Sequence, residues 1–360
     1  MSETKAGYTD SPRVAVTADA TPLWRRFKLE SLPIIVVFFV LIGVYITFAP
    51  SVFLRWPIYN SFLITIPPLM VLSLGLTLVI AAGEMDLSFP AVITLSGFLF
   101  AYCTLHLGSP WLGLLAAIAG GALVGAINGF LVAVIGIPSI IITIGTSFFW
   151  TGVATVLSGG MSYALQNLAE KPIAAIFSGT LFGIPTEALW ALAVAVGIWF
   201  ILNRHRFGEH LLFIGDAREV ARVVGINTTR ERVKLFTLMG ALAGFSSFLL
   251  TIQNLNYFAT QGQGMLLSAL AAVFIGGSSV FGGAATVVGS FFGALIIGML
   301  NAGIVATGVA GFWVEVIVGL VFVIAVVLHT VLGSPGRMKQ LRARLSLDGM
   351  LRRDKNHARW

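Results

Sequence analysis

Gly215-Asp216-Ala217-Arg218-Glu219-Val220-Ala221-Arg222-Val223-Val224-Gly225-Ile226 lies inside a charged island, residues 203–234, between two long apolar runs. The stretch reads as one short helix. Asp216 is placed as N-cap and Glu219 three residues on, the reciprocal spacing of a capping box. Gly225 is placed to end the helix in the left-handed conformation. Ala217, Val220, Ala221 and Val224 form an apolar stripe, with Arg218, Glu219 and Arg222 pointing elsewhere. So short a helix does not hold itself together in water, so the stripe requires a receiving surface.

Outside the island the chain is strongly apolar. Hydrophobic residues make up 57% of the 360 and charged residues 10%, with mean hydropathy +0.94. That balance excludes an ordinary water-soluble globule and predicts an all-α integral membrane protein. A bilayer core of ~30 Å needs about 20 apolar residues per helix. On that measure ten spans are predicted, at 31–49, 61–82, 89–107, 110–135, 138–158, 184–202, 233–252, 265–281, 284–306 and 311–331. The short breaks at 83–88 and 282–283 read either as loops or as dips inside the protein. The single cysteine, Cys103, excludes an intrachain disulfide and a multi-cysteine metal site. The polar stretch 1–30 lacks the short apolar core and cleavage site of a secretory signal.

The basic residues orient the spans. Five Lys and Arg fall in 1–30, seven in 203–234 and eight in 332–360; only Arg55 and Lys171 fall elsewhere. With ten spans, those twenty share one face, which the positive-inside rule makes cytoplasmic. The organisation expected is a cytoplasmic tail (1–30), a transmembrane domain (31–331) with a cytoplasmic loop at 203–232, and a basic cytoplasmic tail (332–360). The net charge of +7 follows from this asymmetry and from anionic headgroups, with no nucleic-acid partner required.

Glycine occurs 40 times, often every fourth residue: Gly121, Gly125 and Gly129; Gly240 and Gly244; Gly289 and Gly293. Such faces predict close helix packing, a dimer face included. Gly121–Asn128 also echoes Gly293–Asn301 across spans of opposite direction, the sign of an inverted repeat.

No phosphate loop, zinc-protease pair or nucleophile elbow occurs, so neither a catalytic centre, a metal site nor a cofactor is expected. Three carboxylates lie within or against apolar segments: Glu84, Asp86 and Glu315. Charge at membrane depth is costly and faces a partner or a cavity. In Gly83-Glu84-Met85-Asp86-Leu87-Ser88-Phe89-Pro90, Asp86 or Ser88 can cap the helix that Pro90 begins; the alternative is a polar elbow lining a path. Glu315 reads as an interfacial carboxylate or as part of such a path. Residues 253–264 carry five amides (Gln253, Asn254, Asn256, Gln261, Gln263) with Tyr257 and Phe258 and no charge. Amides pair with hydroxyls and the rings could stack on a sugar face, unless this is a plain polar loop. Ser158–Tyr163 is a second outward segment, tight at its glycines.

Five motifs, in order, carry a resemblance: Gly83–Ser88, Ile127–Val132, Ile137–Thr146 (including Thr143), Gly215–Ile226 and Ala271–Gly283. From about 31 to 331 the chain resembles the permease subunits of bacterial ABC importers for monosaccharides, the ribose/xylose/arabinose class. The resemblance implies that the helix at 216–225 couples to an ATPase subunit. It also implies a second permease in a homodimer and a periplasmic solute-binding protein. The path or gate expected from the polar segments runs past Glu84, Asp86, Ser88, Asn128, Thr143, Asn254, Asn256, Tyr257 and Glu315. Departures from the family pattern fall at Glu84, Met85, Leu266, Ser268, Val314, Glu315 and Val318, near the path, and leave the solute unnamed. The competing reading is a proton-coupled secondary transporter that uses Glu84, Asp86 or Glu315. A purely structural membrane protein would leave the broken spans without a purpose.

Overall fold

Proline and glycine cut the apolar runs into helices of unequal length. The structure is a computed structural model that describes residues 32–332; the tails at 1–30 and 333–360, with thirteen of the basic residues used above, lie outside it. The first run forms α1 (Leu32–Phe48) and a short turn of helix, α2 (Pro50–Phe53). The second forms α3 (Trp56–Thr65) and α4 (Pro67–Ala81), followed by α5 (Phe89–His106), α6 (Pro110–Ala133) and α7 (Ser139–Ser158). A small outer segment holds β1 (Tyr163–Ala164), α8 (Pro172–Phe177), β2 (Thr180–Leu181) and β3 (Ile184–Pro185). Next come α9 (Thr186–Arg204), α10 (Arg206–Asp216), α11 (Arg218–Val223) and α12 (Thr228–Asn254). The chain closes with β4 (Asn256–Tyr257), α13 (Met265–Ile275), α14 (Val287–Ala306) and α15 (Phe312–Leu332).

Among the described residues six helices (α5, α6, α7, α9, α12 and α14) are long and apolar enough to cross a membrane. The pair α3 and α4 makes a seventh if counted as one span, bent by 48°. Its cause is Pro67-Pro68 in the first turn of α4: without N–H groups these residues cannot extend the ladder of α3. α1 and α15 are apolar as predicted. The run at 265–281 is not one helix. α13 stops at Ile275 after 11 residues, about 16 Å at 1.5 Å per residue and half a bilayer core. It ends where Gly277 takes positive φ, +87°, and the backbone of α14 lies against Gly276: a Cβ there would sit 2.5 Å from the carbonyl carbon of Gly289.

α4 is the hub. Every residue from Pro67 to Ala81 is buried, and α9, α12, α13 and α14 pack around it. The most extensive helix pair is α6 with α12. The predicted glycine stripes meet there: a Cβ on Gly121 would fall 2.2 Å from the carbonyl oxygen of Gly240, and one on Gly240 would fall 2.1 Å from that of Gly121. Gly289 and Gly293 are likewise spent against α13. The packing expectation holds, but these stripes join helices of one protomer and offer no dimer face. α7 is the opposite case, with Phe148 79% and Val156 80% exposed.

Candidate functional site

The 83–88 elbow, the charged island and the starts of α7 and α12 converge on one buried polar junction. Glu84 is its centre. Its carboxylate pairs with Arg218 at 2.5 Å and with Arg232 at 2.7 Å, although 134 and 148 residues separate the partners along the chain. Glu84 is only 3% and Arg232 6% exposed, while Arg218 is 36% exposed at the rim. One carboxylate between two guanidiniums answers the cost of burying Arg232, which alone would be prohibitive.

The rest of the elbow is held by neutral groups. Met85 donates its N–H to Ser139 Oγ (3.1 Å), and Thr143 Oγ1 donates to the carbonyls of Ser139 (2.8 Å) and Met85 (3.4 Å). Asp86 Oδ1 accepts from the Ser88 N–H (2.8 Å) and the Ser88 hydroxyl (2.6 Å), closing an Asx turn just ahead of α5. Asn128 Nδ2 donates to Ser88 Oγ at 2.7 Å, and its Oδ1 has no partner among the described residues. The structure therefore brings Glu84, Asp86, Ser88, Asn128 and Thr143 together, all buried. Of the two capping candidates Asp86 makes the local bonds; the Ser88 side chain does not cap α5.

Three backbones touch at the same place. The Gly283 N–H donates to the Ala81 carbonyl at 3.0 Å. A Cβ on Gly215 would lie 2.0 Å from that same oxygen, and one on Gly282 2.7 Å from Gly83 Cα. Only glycines let the elbow, the charged island and the segment after α13 pack this closely.

Residues 215–226 differ from their sequence reading. They belong to two helices rather than one. Asp216 is the last residue of α10, which buries Leu211 and Ile214. The chain turns at Ala217, and the N-cap of α11 is that alanine, without a side-chain cap. Asp216 could not serve as the N-cap because the backbone of Gly215 beside it is seated on Ala81 while still helical. The capping box is absent: Glu219 reaches forward to Arg222 at 2.9 Å on the exposed surface. Gly225 does take positive φ, +89°. Of the predicted stripe, Ala221 is fully buried against this chain and Ala217 half-buried. Val220 (56%), Val224 (63%) and Val223 (86%), the last outside the predicted stripe, face outward. Sequence reasoning missed Arg232 and α10; the alternation of Phe207, Leu211 and Ile214 within the charged island was the available signal for that helix.

At 27 residues α12 runs about 40 Å, so residues 253–264 lie at the far end from this junction. Asn256 and Tyr257 pair antiparallel with Ala164 and Tyr163, joining two outward segments that the sequence showed separately. Tyr257 is fully buried against Phe98 and Tyr163, so its ring offers no stacking face. Gln261 turns inward as well: its Nε2 donates to Ser247 Oγ (2.9 Å) and Thr251 Oγ1 (3.2 Å) in space left by Gly97. Asn254 is exposed and Asn256 half-buried. Glu315 is exposed in the first turn of α15, on an element apart from the junction.

Six long apolar helices, a bent pair and a buried ion-paired junction make this a helical multi-pass membrane protein. A family model described as branched-chain amino acid transport system / permease component matches residues 58–326, and the chain belongs to that family. It is 32% identical over 265 residues to a probable ABC transporter permease of Sinorhizobium fredii, covering 72% of this chain and 78% of the relative. It is 31% identical over 310 residues to the fructose import permease of Rhizobium meliloti (83% and 85%). It is 31% identical over 264 residues to the ribose import permease of Bacillus subtilis (71% and 80%). No solved structure shows a significant match. The chain is a multi-pass protein of the inner membrane and a transport permease subunit.

Proposed function

We propose that this chain is the membrane-spanning subunit of an ATP-binding cassette importer for a neutral sugar or related polyol. A periplasmic binding protein delivers the solute and a separate subunit hydrolyses ATP. The observation that carries this reading is α11. It presents Val220, Val223 and Val224 to solvent while Arg218, at its first position, grips Glu84 in the elbow. An apolar knob on a short helix, wired by an ion pair to the membrane core, is a device for receiving force from another protein. Glu84, Asp86, Ser88, Asn128 and Thr143 then form the inner end of the path, displaced when α11 moves; Asn254 and Asn256 stand at its outer mouth.

The printed names of the fructose and ribose relatives support the substrate class. The family description names branched-chain amino acids. A zwitterion is best met by fixed opposite charges, and residues 253–264 provide amides and none. The proton-coupled alternative loses its carriers: Glu84 is committed to two arginines, Asp86 to Ser88, and Glu315 stands apart from both.

The same reading has ten spans, counting α3 with α4 as one and the shorter α1, α13 and α15 with the six long helices. Both termini and residues 203–234 are then cytoplasmic, with α4 to α7 and α12 to α15 as halves of an inverted repeat. The exposed apolar face of α7 meets lipid and a second copy of this chain. Impermeant thiol labelling of intact cells, in a Cys103→Ser background, should modify a cysteine at Lys171 but not one at Arg218; the reverse result would invert the topology.

Uptake by vesicles holding this chain, its ATPase subunit and its binding protein tests the function. ATP-dependent accumulation of fructose or ribose is expected. Val220→Asp should abolish it by placing an unpaired charge in the docking surface. Uptake driven by a pH gradient without the ATPase subunit would sink the proposal.

A further inference from the structure

Where α3 breaks from α4, a cavity of about 390 Å³ opens between the bend, the start of α13 and the second half of α14. It lies within the roughly 300–1,000 Å³ typical of small-molecule sites. Its polar lining consists of Thr65, Gln263, Ser268 and Asn301, with open space beside Gly264 and the Ile66 side chain packed on Gly298. No lining residue is charged.

Three observations mark it as built to hold a ligand. α13 begins here with Gly264 as N-cap and no side chain over its first turn; the amides of Leu266 and Leu267 find no acceptor outside the helix among the described residues. A helix start left open in this way carries partial positive charge and free N–H groups. Ser268, 9% exposed and one turn further along, lines the cavity with a hydroxyl that has no partner among the described residues. Asn301, on the opposite wall, keeps its Oδ1 enclosed, and its Nδ2 has no partner among the described residues. Donors and acceptors without protein partners on facing walls of one cavity suit an occupant with hydroxyls.

We propose that this cavity is a binding station for the solute, taking a neutral polyhydroxylated molecule. Sugar hydroxyl oxygens accept from the amides at the start of α13 and from Asn301 Nδ2, and a sugar O–H group donates to Ser268 Oγ. The proposal rests on the sugar-import reading and adds a location to it. The Pro67-Pro68 bend has a purpose in this scheme: it withdraws α3 from the axis of α4 and makes the room.

The full transporter in right-side-out vesicles, in a Cys103→Ser background, provides the test. Ser268→Cys and Asn301→Cys should each react with a small impermeant thiol reagent. High millimolar fructose, ribose or allose should slow that reaction several-fold, whereas leucine should not. Gln263→Cys, on exposed chain, reports that the reagent reaches this face, and retention of the ATPase subunit reports assembly. Labelling at 263 but at neither 268 nor 301 means a space filled by lipid or a second copy, and overturns the proposal. Equal labelling with and without every sugar, or protection by leucine alone, also overturns it. Should one cysteine variant fail to assemble, the other decides, with Asn301→Leu as a further check. That variant should raise the KM for sugar uptake several-fold while keeping its ATPase subunit. Sugar uptake without protection would remove this site and leave the importer reading standing; leucine uptake without sugar uptake would remove both.

Discussion

The two ends of the permease are held together by different chemistry. At the 83–88 elbow, Glu84 is buried between Arg218 and Arg232, and Glu231 nearby accepts from Lys234 at 3.1 Å. At the far end the ties are neutral: a two-residue ladder between β1 and β4, the inserted amide of Gln261, and the Thr94 hydroxyl donating to the Gln261 carbonyl at 2.6 Å. Buried ion pairs stand or fall as units, since removing one partner strands the other. Neutral hydrogen bonds yield one at a time and at lower cost. The charged end is therefore the harder of the two to open, and the neutral end the easier to part.

The contrast breaks most visibly at Glu84. Glu84→Gln should leave Arg232 buried without a counter-charge and cost about 3–5 kcal/mol. The expected readout is a large drop in thermal midpoint in detergent and loss of the ATPase subunit. A variant as stable as the parent would mean that the ion pairs do not hold the elbow. A double variant, Glu84→Gln with Arg232→Met, should recover much of the loss by removing the stranded charge.

At the neutral end, Gln261→Ala deletes the amide that bonds Ser247 and Thr251 and leaves those hydroxyls only the backbone carbonyls of Ile93 and Ser247 that they already donate to. A cost of about 1–3 kcal/mol is expected, smaller than at Glu84. An equal or greater loss of thermal midpoint would erase the difference between the two ends. The smallest effect belongs to the exposed pair Glu219–Arg222, where Glu219→Ala should change stability by no more than about 0.5 kcal/mol. Uptake that fell sharply with stability intact would mean that Glu219 touches the ATPase subunit directly.

Much of the architecture was legible because it depends on local runs. Apolar stretches of about 20 residues identify membrane helices wherever they occur. Small residues four apart announce close packing, and the spacing of Gly121 and Gly125 against Gly240 and Gly244 bears that out. The junction was legible only in part. Glu84 and Asp86 stand out as carboxylates against apolar segments, yet nothing local assigns Glu84 to two arginines more than 130 residues away. Tyr257 and Phe258 looked alike along the chain; the fold buries one and leaves the other 42% exposed.

From the sequence alone came the membrane class, the charged loop between two spans, the glycine punctuation of the spans and the polar elbow. Each is a property of composition within a window, and the bilayer and the backbone act on such windows directly. The tertiary structure alone decided where α13 ends, which stripe residues on α11 remain free, which amides turn inward, and that a cavity lies in the bend between α3 and α4. Those outcomes depend on which backbones touch and which buried charges find each other, and residues far apart in the chain become neighbours only once the helices have packed.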